Sequence, residues 1–152
     1  MRPLDIAEDG LLGLITMRGR AHGWGIELKS LLRIEPLAAW KGGAPLDLGA
    51  VFGVAGEGLD AAGRVLVIDA GSEELPVLAT GAVAVRAVAW EAVYPLPPAV
   101  IGSPRARFLT GVVFGEEGRD PLVIVDVLGL GAALASAANA PSPSNPREEI
   151  NA

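Results

Sequence analysis

The sequence predicts an all-β fold that ends in one short helix. The chain of 152 residues contains 20 glycines and 12 prolines, which separate short runs rich in valine, leucine and isoleucine. This punctuation is typical of short strands joined by turns. Aromatic residues make up only 5% of the chain, so the core has to be aliphatic. The apolar runs 108–114 and 122–127 flank a polar turn at 115–120 and predict a hairpin.

Composition limits the size and the class of the protein. We divide the 152 residues into a flexible leader at 1–10, one domain with two lobes at 11–135 and a disordered Pro/Ser-rich tail at 136–152. A net charge of -6 argues against nucleic acid, whose phosphates need a basic surface. The absence of cysteine excludes disulfides and thiolate metal ligands. No apolar stretch reaches the roughly 20 residues of a membrane helix, so we expect a cytoplasmic protein without membrane insertion.

The N-terminal third predicts a hairpin and a short helix. Apolar runs at 11–17 and 24–28 are joined by a polar, glycine-containing link at 18–23, which is typical of a hairpin. Residues 40–45 break this pattern. The segment 46–53 then has the composition of one or two helical turns.

Between these elements, residues 31–37 predict a strand at the edge of a sheet. Alternation places Leu32, Ile34 and Pro36 on one face, and Arg33 and Glu35 on the other. Because proline has no amide hydrogen to donate to a ladder, Pro36 favours an edge position.

The middle of the chain predicts further strands. Residues 64–69 form the clearest single strand, and 71–74 are the turn after it. Residues 76–90 form a long valine- and alanine-rich run. Glycine weakens a strand interior, so we expect a bend near Gly81.

Asp126 directly follows the second strand of the predicted hairpin and precedes a Leu/Ala-rich stretch. Its carboxylate is suited to accept hydrogen bonds from the free amides of a helix that begins near Val127. We expect this capping role rather than catalysis.

Residues that could carry chemistry are scattered. His22 is the only histidine and lies in a predicted solvated turn, so no pair of histidines exists for a metal site. The acidic residues of 5–9 and 116–120 fall in the leader and in a turn. The glycine-rich stretch 53–58 lacks the Lys-Ser/Thr ending of a phosphate-binding loop. We therefore expect no enzymatic activity, no metal and no cofactor.

Seven segments carry a resemblance to a known family. They are Trp-Gly-Ile-Glu-Leu at 24–28, Leu-Leu-Arg-Ile at 31–34, Pro-Leu-Asp-Leu at 45–48 with Phe52-Gly53, Arg-Val-Leu-Val-Ile at 64–68, Trp-Glu-Ala-Val-Tyr-Pro-Leu-Pro at 90–97, Phe-Leu-Thr-Gly at 108–111, and Leu-Val-Ile-Val-Asp at 122–126. In this order they resemble the CheW family, which links chemoreceptors to the CheA histidine kinase in bacterial chemosensory arrays. The resemblance implies two small SH3-like five-stranded β-barrels, the first one shortened, and a short C-terminal helix.

Two departures from the family pattern imply a lost contact. The family places a Gly-apolar-apolar-Asn-Leu-Arg-Gly segment before its Pro-apolar-apolar-Asp-Leu element, but only 41–44 separate Trp40 from Pro45. The family's Asp after a Val-Gly-apolar-apolar strand is replaced by Thr80 and Gly81. Truncated relatives that this chain resembles are the auxiliary adaptors of Frz-type gliding-motility systems.

The resemblance implies a non-catalytic scaffold or adaptor. Its partners would be the cytoplasmic tip of a methyl-accepting chemoreceptor and another CheW-like protein or a CheA-type kinase, with the kinase contact the weaker one. By the same resemblance, Leu31, Arg33 and Ile34 are the receptor-binding residues. The edge left by the missing segment also favours self-pairing into a homodimer.

Two other classes remain open from the sequence. Trp24, Trp40 and Trp90, with Tyr94, could surround the pocket of a small-ligand-binding β-barrel without a chemosensory role, although core or lobe-junction positions are the more common use of tryptophan. An enzyme would need a buried carboxylate pair in a deep cleft.

Overall fold

The computed structural model describes residues 10–19, 22–52, 63–71, 73–79, 81–96, 107–115 and 121–139. This part of the chain contains nine strands and two α-helices. The strands are β1 (Leu11–Arg18), β2 (Gly23–Glu27), β3 (Leu31–Pro36), β4 (Arg64–Asp69), β5 (Glu74–Ala79), β6 (Val83–Ala89), β7 (Val93–Tyr94), β8 (Leu109–Val113) and β9 (Leu122–Val125). The helices are α1 (Leu48–Val51) and α2 (Val127–Asn139).

The strands form two sheets. The larger sheet has six strands in the order β6-β1-β2-β9-β8-β7, and the smaller one has three in the order β3-β4-β5. Among the pairings between these nine strands, β2 with β9 is parallel and the others are antiparallel. The parallel pairing joins the N-terminal and C-terminal hairpins in one sheet, which is why the strands divide six and three. The all-β class and the short C-terminal helix are confirmed.

Both faces of the larger sheet carry buried apolar side chains. Along β1, Leu12 and Leu14 belong to one apolar core, whereas Ile15 and Met17 belong to the other. The first core lies between the two sheets and α2, with Ile15, Met17, Trp24, Ile26, Leu66, Ile68, Val77, Val125, Val127 and Leu130 among its members. The second core joins strands from opposite ends of the larger sheet, with Leu12, Leu14, Val88, Val113, Leu122 and Ile124. The larger sheet therefore curves around the second core.

Two glycines allow close packing in this sheet. A Cβ at Gly25 would lie 3.4 Å from Leu14 Cδ1, so Gly25 leaves space for the second core. A Cβ at Gly111 would lie 2.7 Å from Val93 Cγ1 and 2.9 Å from the carbonyl oxygen of Tyr94. Gly111 therefore permits β7 to approach β8, and a side chain at this position would separate the two strands.

The structure confirms that Asp126 caps the terminal helix. The Asp126 side chain accepts a hydrogen bond from the Gly129 amide at 3.1 Å. The helix continues to Asn139, past Ser136, where the sequence predicted the start of the tail. Alanine is the residue most favourable to helix, and the alanine-rich composition of this stretch accounts for the extension. Residues 1–9 and 140–152, which hold most of the predicted leader and tail, lie outside the described residues.

The predicted bend near Gly81 is also confirmed. β5 ends at Ala79 and β6 begins at Val83, so the long valine- and alanine-rich run is two strands in different sheets. A Cβ at Gly81 would lie 3.0 Å from the Arg18 carbonyl oxygen, so the chain turns tightly against β1 here. The glycine-rich stretch 53–58 and the acidic turn 116–120 lie outside the described residues.

Candidate partner-binding surface

The candidate surface is built on β3, at the edge of the smaller sheet. β3 pairs with β4 on one side, and none of the strands in the described ranges pairs with its other side. Pro36, which closes the strand, is thus at an edge, as its missing amide hydrogen predicts.

Among the three predicted receptor-binding residues, a β-bulge separates Leu31 from Arg33 and Ile34. The register between β3 and β4 shifts between Leu31, which lies opposite Ile68, and Arg33, which lies opposite Val67. Leu31 is half-buried and packs against the core between the sheets. Ile34 and Leu32 are 44% and 49% exposed. The structure thus places Arg33 and Ile34 on the accessible surface and turns Leu31 toward the core. Leu32 is the second exposed apolar side chain, a role that the sequence did not assign to it.

Arg33 is the centre of a charge cluster that spans the smaller sheet. Its Nη1 and Nη2 donate to Glu74 Oε1 and Oε2, both at 3.1 Å, and its Nε donates to Glu35 Oε2 at 3.0 Å. All three side chains are accessible to solvent. The predicted positive charge is present at the edge, but it already has two carboxylate partners in the same chain.

The ion pair between Arg33 and Glu74 crosses above the central strand. Arg33 lies opposite Val67, and Val67 lies opposite Pro76 on β5. Side chains at i and i+2 of a strand share a face, so Glu74, two residues before Pro76, is on the same face as Arg33 and Val67. Val67 is fully buried. The pair therefore ties the edge strand to β5 over an apolar residue of β4.

The same contacts alter the proton affinities of the two groups. The hydrogen bond from Arg33 is the main cause that lowers the pKa of Glu74 below its ordinary value. The hydrogen bonds to Glu74 and then Glu35 raise the pKa of Arg33. Both effects stabilise the charged forms of Arg33 and Glu74, so this pair is ionised at neutral pH.

A second accessible feature is an apolar groove between the two helices. It has a volume of about 360 Å³ and is lined by Ala50, Val51, Phe108, Leu130, Ala133 and Leu134. α1 is placed by its cap, since the Asp47 carboxylate accepts a hydrogen bond from the Ala50 amide at 3.4 Å. The sequence predicted both helices but gave no sign that they line one groove.

The tryptophans do not form a common pocket. Trp24 is buried in the core between the sheets and stacks on Phe52, with ring centroids 5.5 Å apart. Trp40 folds over its own loop and donates from Nε1 to the Gly43 carbonyl oxygen at 2.8 Å. Trp90 is exposed at the end of β6. Within the described ranges no ring contact joins two tryptophans, and the apolar groove has no tryptophan in its lining.

His22 is less solvated than the sequence predicted. Its ring lies edge-on to Trp24 with 4.3 Å between centroids, and its Nδ1 is 2.9 Å from the Gly23 carbonyl oxygen. His22 is therefore half-buried against an indole instead of projecting freely from a turn.

The enzymatic alternative requires a buried carboxylate pair in a deep cleft, and two carboxylates are buried in the described part of the chain. Glu27 ends β2, and Asp126 follows β9, the strand parallel to β2. Asp126 caps α2, and Glu27 Oε2 lies 3.5 Å from Lys29 Nζ. Neither lines the apolar groove. Among the described residues, no group of three or more His, Asp or Glu side chains could hold a metal ion, and no helix is long and apolar enough to cross a membrane.

Comparison with known proteins adds one match in fold. No protein-family model and no curated protein matches the chain. Among solved structures, the chain is similar to the scaffolding protein TtCheW from Thermoanaerobacter tengcongensis, with a TM-score of 0.59 and 13% sequence identity. The match covers 75% of this chain and 88% of that one. It does not support the narrower resemblance to Frz-type adaptors. The protein therefore has a CheW-like all-β fold.

Proposed function

We propose that this protein is a non-catalytic adaptor of a bacterial chemosensory array. It binds the cytoplasmic tip of a methyl-accepting chemoreceptor and modulates the coupling of that receptor to a CheA-type kinase, in the cytoplasm at receptor clusters. The observation that carries the proposal is the CheW-like fold shared with a scaffolding protein. The accessible edge of β3 supports it, because binding through an edge needs shape and charge but no reactive group.

The β3 edge has the chemistry to contact a receptor helix. Ile34 and Leu32 supply exposed apolar area that a helix can bury. Arg33 supplies a guanidinium, which binds carboxylates through two parallel hydrogen bonds. Since Glu74 and Glu35 hold Arg33 in place, a receptor carboxylate has to replace one of them or join the cluster. Exposed ion pairs are weak enough for such an exchange.

We further propose that direct kinase contact is weak or absent. The connection from β3 to α1 is short, and its residues 40–45 contain no strand. The Trp40 indole closes this connection by its hydrogen bond to Gly43, at the place where the resemblance calls for an additional strand and turn. A partner that depends on that additional segment would find a smaller surface here. A further CheW-like protein would then relay the signal to the kinase.

A co-precipitation assay tests both parts of the proposal. A receptor signalling-tip fragment and a kinase regulatory domain are offered separately and together to the immobilised protein. We expect the receptor fragment to bind alone and the kinase domain to bind weakly or not at all. Tight binding of the kinase domain alone would refute the lost contact, whereas no binding of receptor fragments would refute the adaptor role.

Variants separate the two accessible surfaces. Ile34→Asp changes the β3 edge, and Leu134→Asp changes the rim of the groove between α1 and α2, where Leu134 is also exposed. We expect the first variant to reduce receptor binding more than the second. The reverse result would move the receptor site to the groove and leave the adaptor role in place.

A further inference from the structure

We propose that β3 also pairs with β3 of a second copy of this chain, in an antiparallel arrangement with a two-fold axis at Ile34. The inference goes beyond receptor binding and does not rest on it. Three properties of the edge carry it: the direction of its backbone groups, the order of its charges and the proline that ends it.

The backbone amide and carbonyl groups of Ile34 are directed away from β4. The Leu37 amide donates to the Gly63 carbonyl oxygen at 2.9 Å, and Pro36 lies opposite Arg64. Hydrogen-bonded and non-hydrogen-bonded pairs alternate along an antiparallel ladder. Ile34 and Pro36 are therefore in non-hydrogen-bonded positions toward β4. The Ile34 amide and carbonyl groups face the outer edge and can exchange two hydrogen bonds with Ile34 of another copy.

The charges of β3 favour this register over the two adjacent registers. With the axis at Ile34, Arg33 lies opposite Glu35 of the second copy, and Glu35 lies opposite its Arg33, so opposite charges meet twice on one face. An axis at Arg33 or at Glu35 keeps the outward-facing groups paired but sets two like charges opposite each other. Like charges directly opposite destabilise a strand pair. Exposed Ile34 and Leu32 add apolar contact between the copies.

The proline limits the length of the pairing. The Pro36 carbonyl can accept from the second copy, but its nitrogen cannot donate, so the ladder cannot extend far past this residue. Edge strands with proline resist open-ended association. The paired unit is thus a closed dimer. In this dimer the edge of β3 lies in the interface between the two copies and is no longer accessible to another partner. Self-association therefore competes with receptor binding through β3, a consequence that, unlike the pairing itself, rests on the proposed function.

Cross-linking tests the register directly. The chain has no cysteine, so a single introduced thiol forms a disulfide only with another copy. Ile34→Cys should oxidise to a covalent dimer, because residues facing each other in a hydrogen-bonded antiparallel pair have Cα atoms about 5.5 Å apart, within the range for a disulfide. The matched control is Val85→Cys, at an exposed position of β6, one of the two edge strands of the larger sheet. Equal dimer yields from both variants would overturn the proposal.

Charge exchange is the second, independent test, measured by sedimentation equilibrium of the protein alone. Arg33→Glu and Glu35→Arg should each weaken the dimer about tenfold, since each places like charges at both symmetric pairs. The double exchange restores opposite charges between the copies, and adding Glu74→Arg also restores an opposite charge beside position 33 within each chain, so the triple exchange should recover most of the affinity. Arg18→Glu, an equal change of charge at an exposed position of β1, should have little effect. A wild-type protein that stays monomeric up to roughly 1 mM, or a triple exchange without recovery, would refute the pairing; neither result depends on a receptor.

Discussion

Arg33 on β3 and Glu74 on β5 are joined by two parallel hydrogen bonds of 3.1 Å that pass above Val67 of the strand between them. Arg33, which the sequence indicates for partner binding, thus also links β3 to β5 across the smaller sheet. A partner that binds Arg33 acts on the contact that joins the edge strand to β5. Binding of a partner at Arg33 would therefore also change how firmly β3 is held against β4 and β5.

We predict that Glu74 titrates below the ordinary glutamate pKa of 4.5. Because the folded pKa is lowered, the contribution of this pair to stability is present above the unfolded pKa and is lost as pH falls through the folded value. NMR titration of the side-chain carboxyl carbon measures it. In Arg33→Gln the titration should move up toward the ordinary value, and an unchanged midpoint would show that Arg33 does not hold this carboxylate in solution.

Leu31→Asp and Ile34→Asp should differ in stability. Leu31 packs against the core, so a charge there should lower the free energy of unfolding by about 1–3 kcal/mol. Ile34 is exposed, and we expect its substitution to cost less than about 1 kcal/mol. Urea denaturation of both variants makes the comparison. Equal losses would mean that the bulge does not separate the two side chains.

Asp126→Ala should destabilise the protein by about 0.5–2 kcal/mol, because it removes the acceptor of the Gly129 amide at the start of α2. Asp126→Asn keeps an acceptor oxygen and should retain most of the stability. Thermal and urea unfolding of the two variants provide the test. A full loss in both would assign the effect to the charge of Asp126 instead of to its capping hydrogen bond.

Gly111→Ala should destabilise the β7–β8 pairing by about 1–3 kcal/mol, since the new methyl group would meet Val93 and the Tyr94 backbone. Gly43→Ala is the matched control, because a Cβ at that position meets nothing within 4 Å. Amide exchange of β7 and β8 locates the effect. Faster exchange spread evenly over both sheets would contradict a local clash.

The sequence predicted features that depend on neighbours along the chain. Asp126 precedes a helix directly, Pro36 lacks an amide hydrogen whatever surrounds it, and Gly81 interrupts a run of strand-forming residues. Each of these predictions is confirmed. They depend on the chemistry of a residue and its immediate neighbours, which can be identified from the sequence alone.

The features that the sequence did not predict depend on residues far apart in the chain. Glu74 meets Arg33 across 41 positions, through a register that alternation alone does not define. The bulge after Leu31 changed which leucine is exposed, because one additional residue in a strand turns the following side chains to the opposite face. The groove between α1 and α2 likewise forms only when the two sheets pack together.

The central claim, that this protein is an adaptor that binds receptor helices through the edge of β3, is tested most directly by calorimetric titration with a chemoreceptor signalling-tip fragment. We predict binding by the wild-type protein, an affinity at least about tenfold lower for Ile34→Asp, and no such loss for Val85→Asp, whose side chain is 67% exposed on β6, an edge strand of the other sheet. Equal affinities for all three proteins, or no binding by the wild type, would contradict the claim.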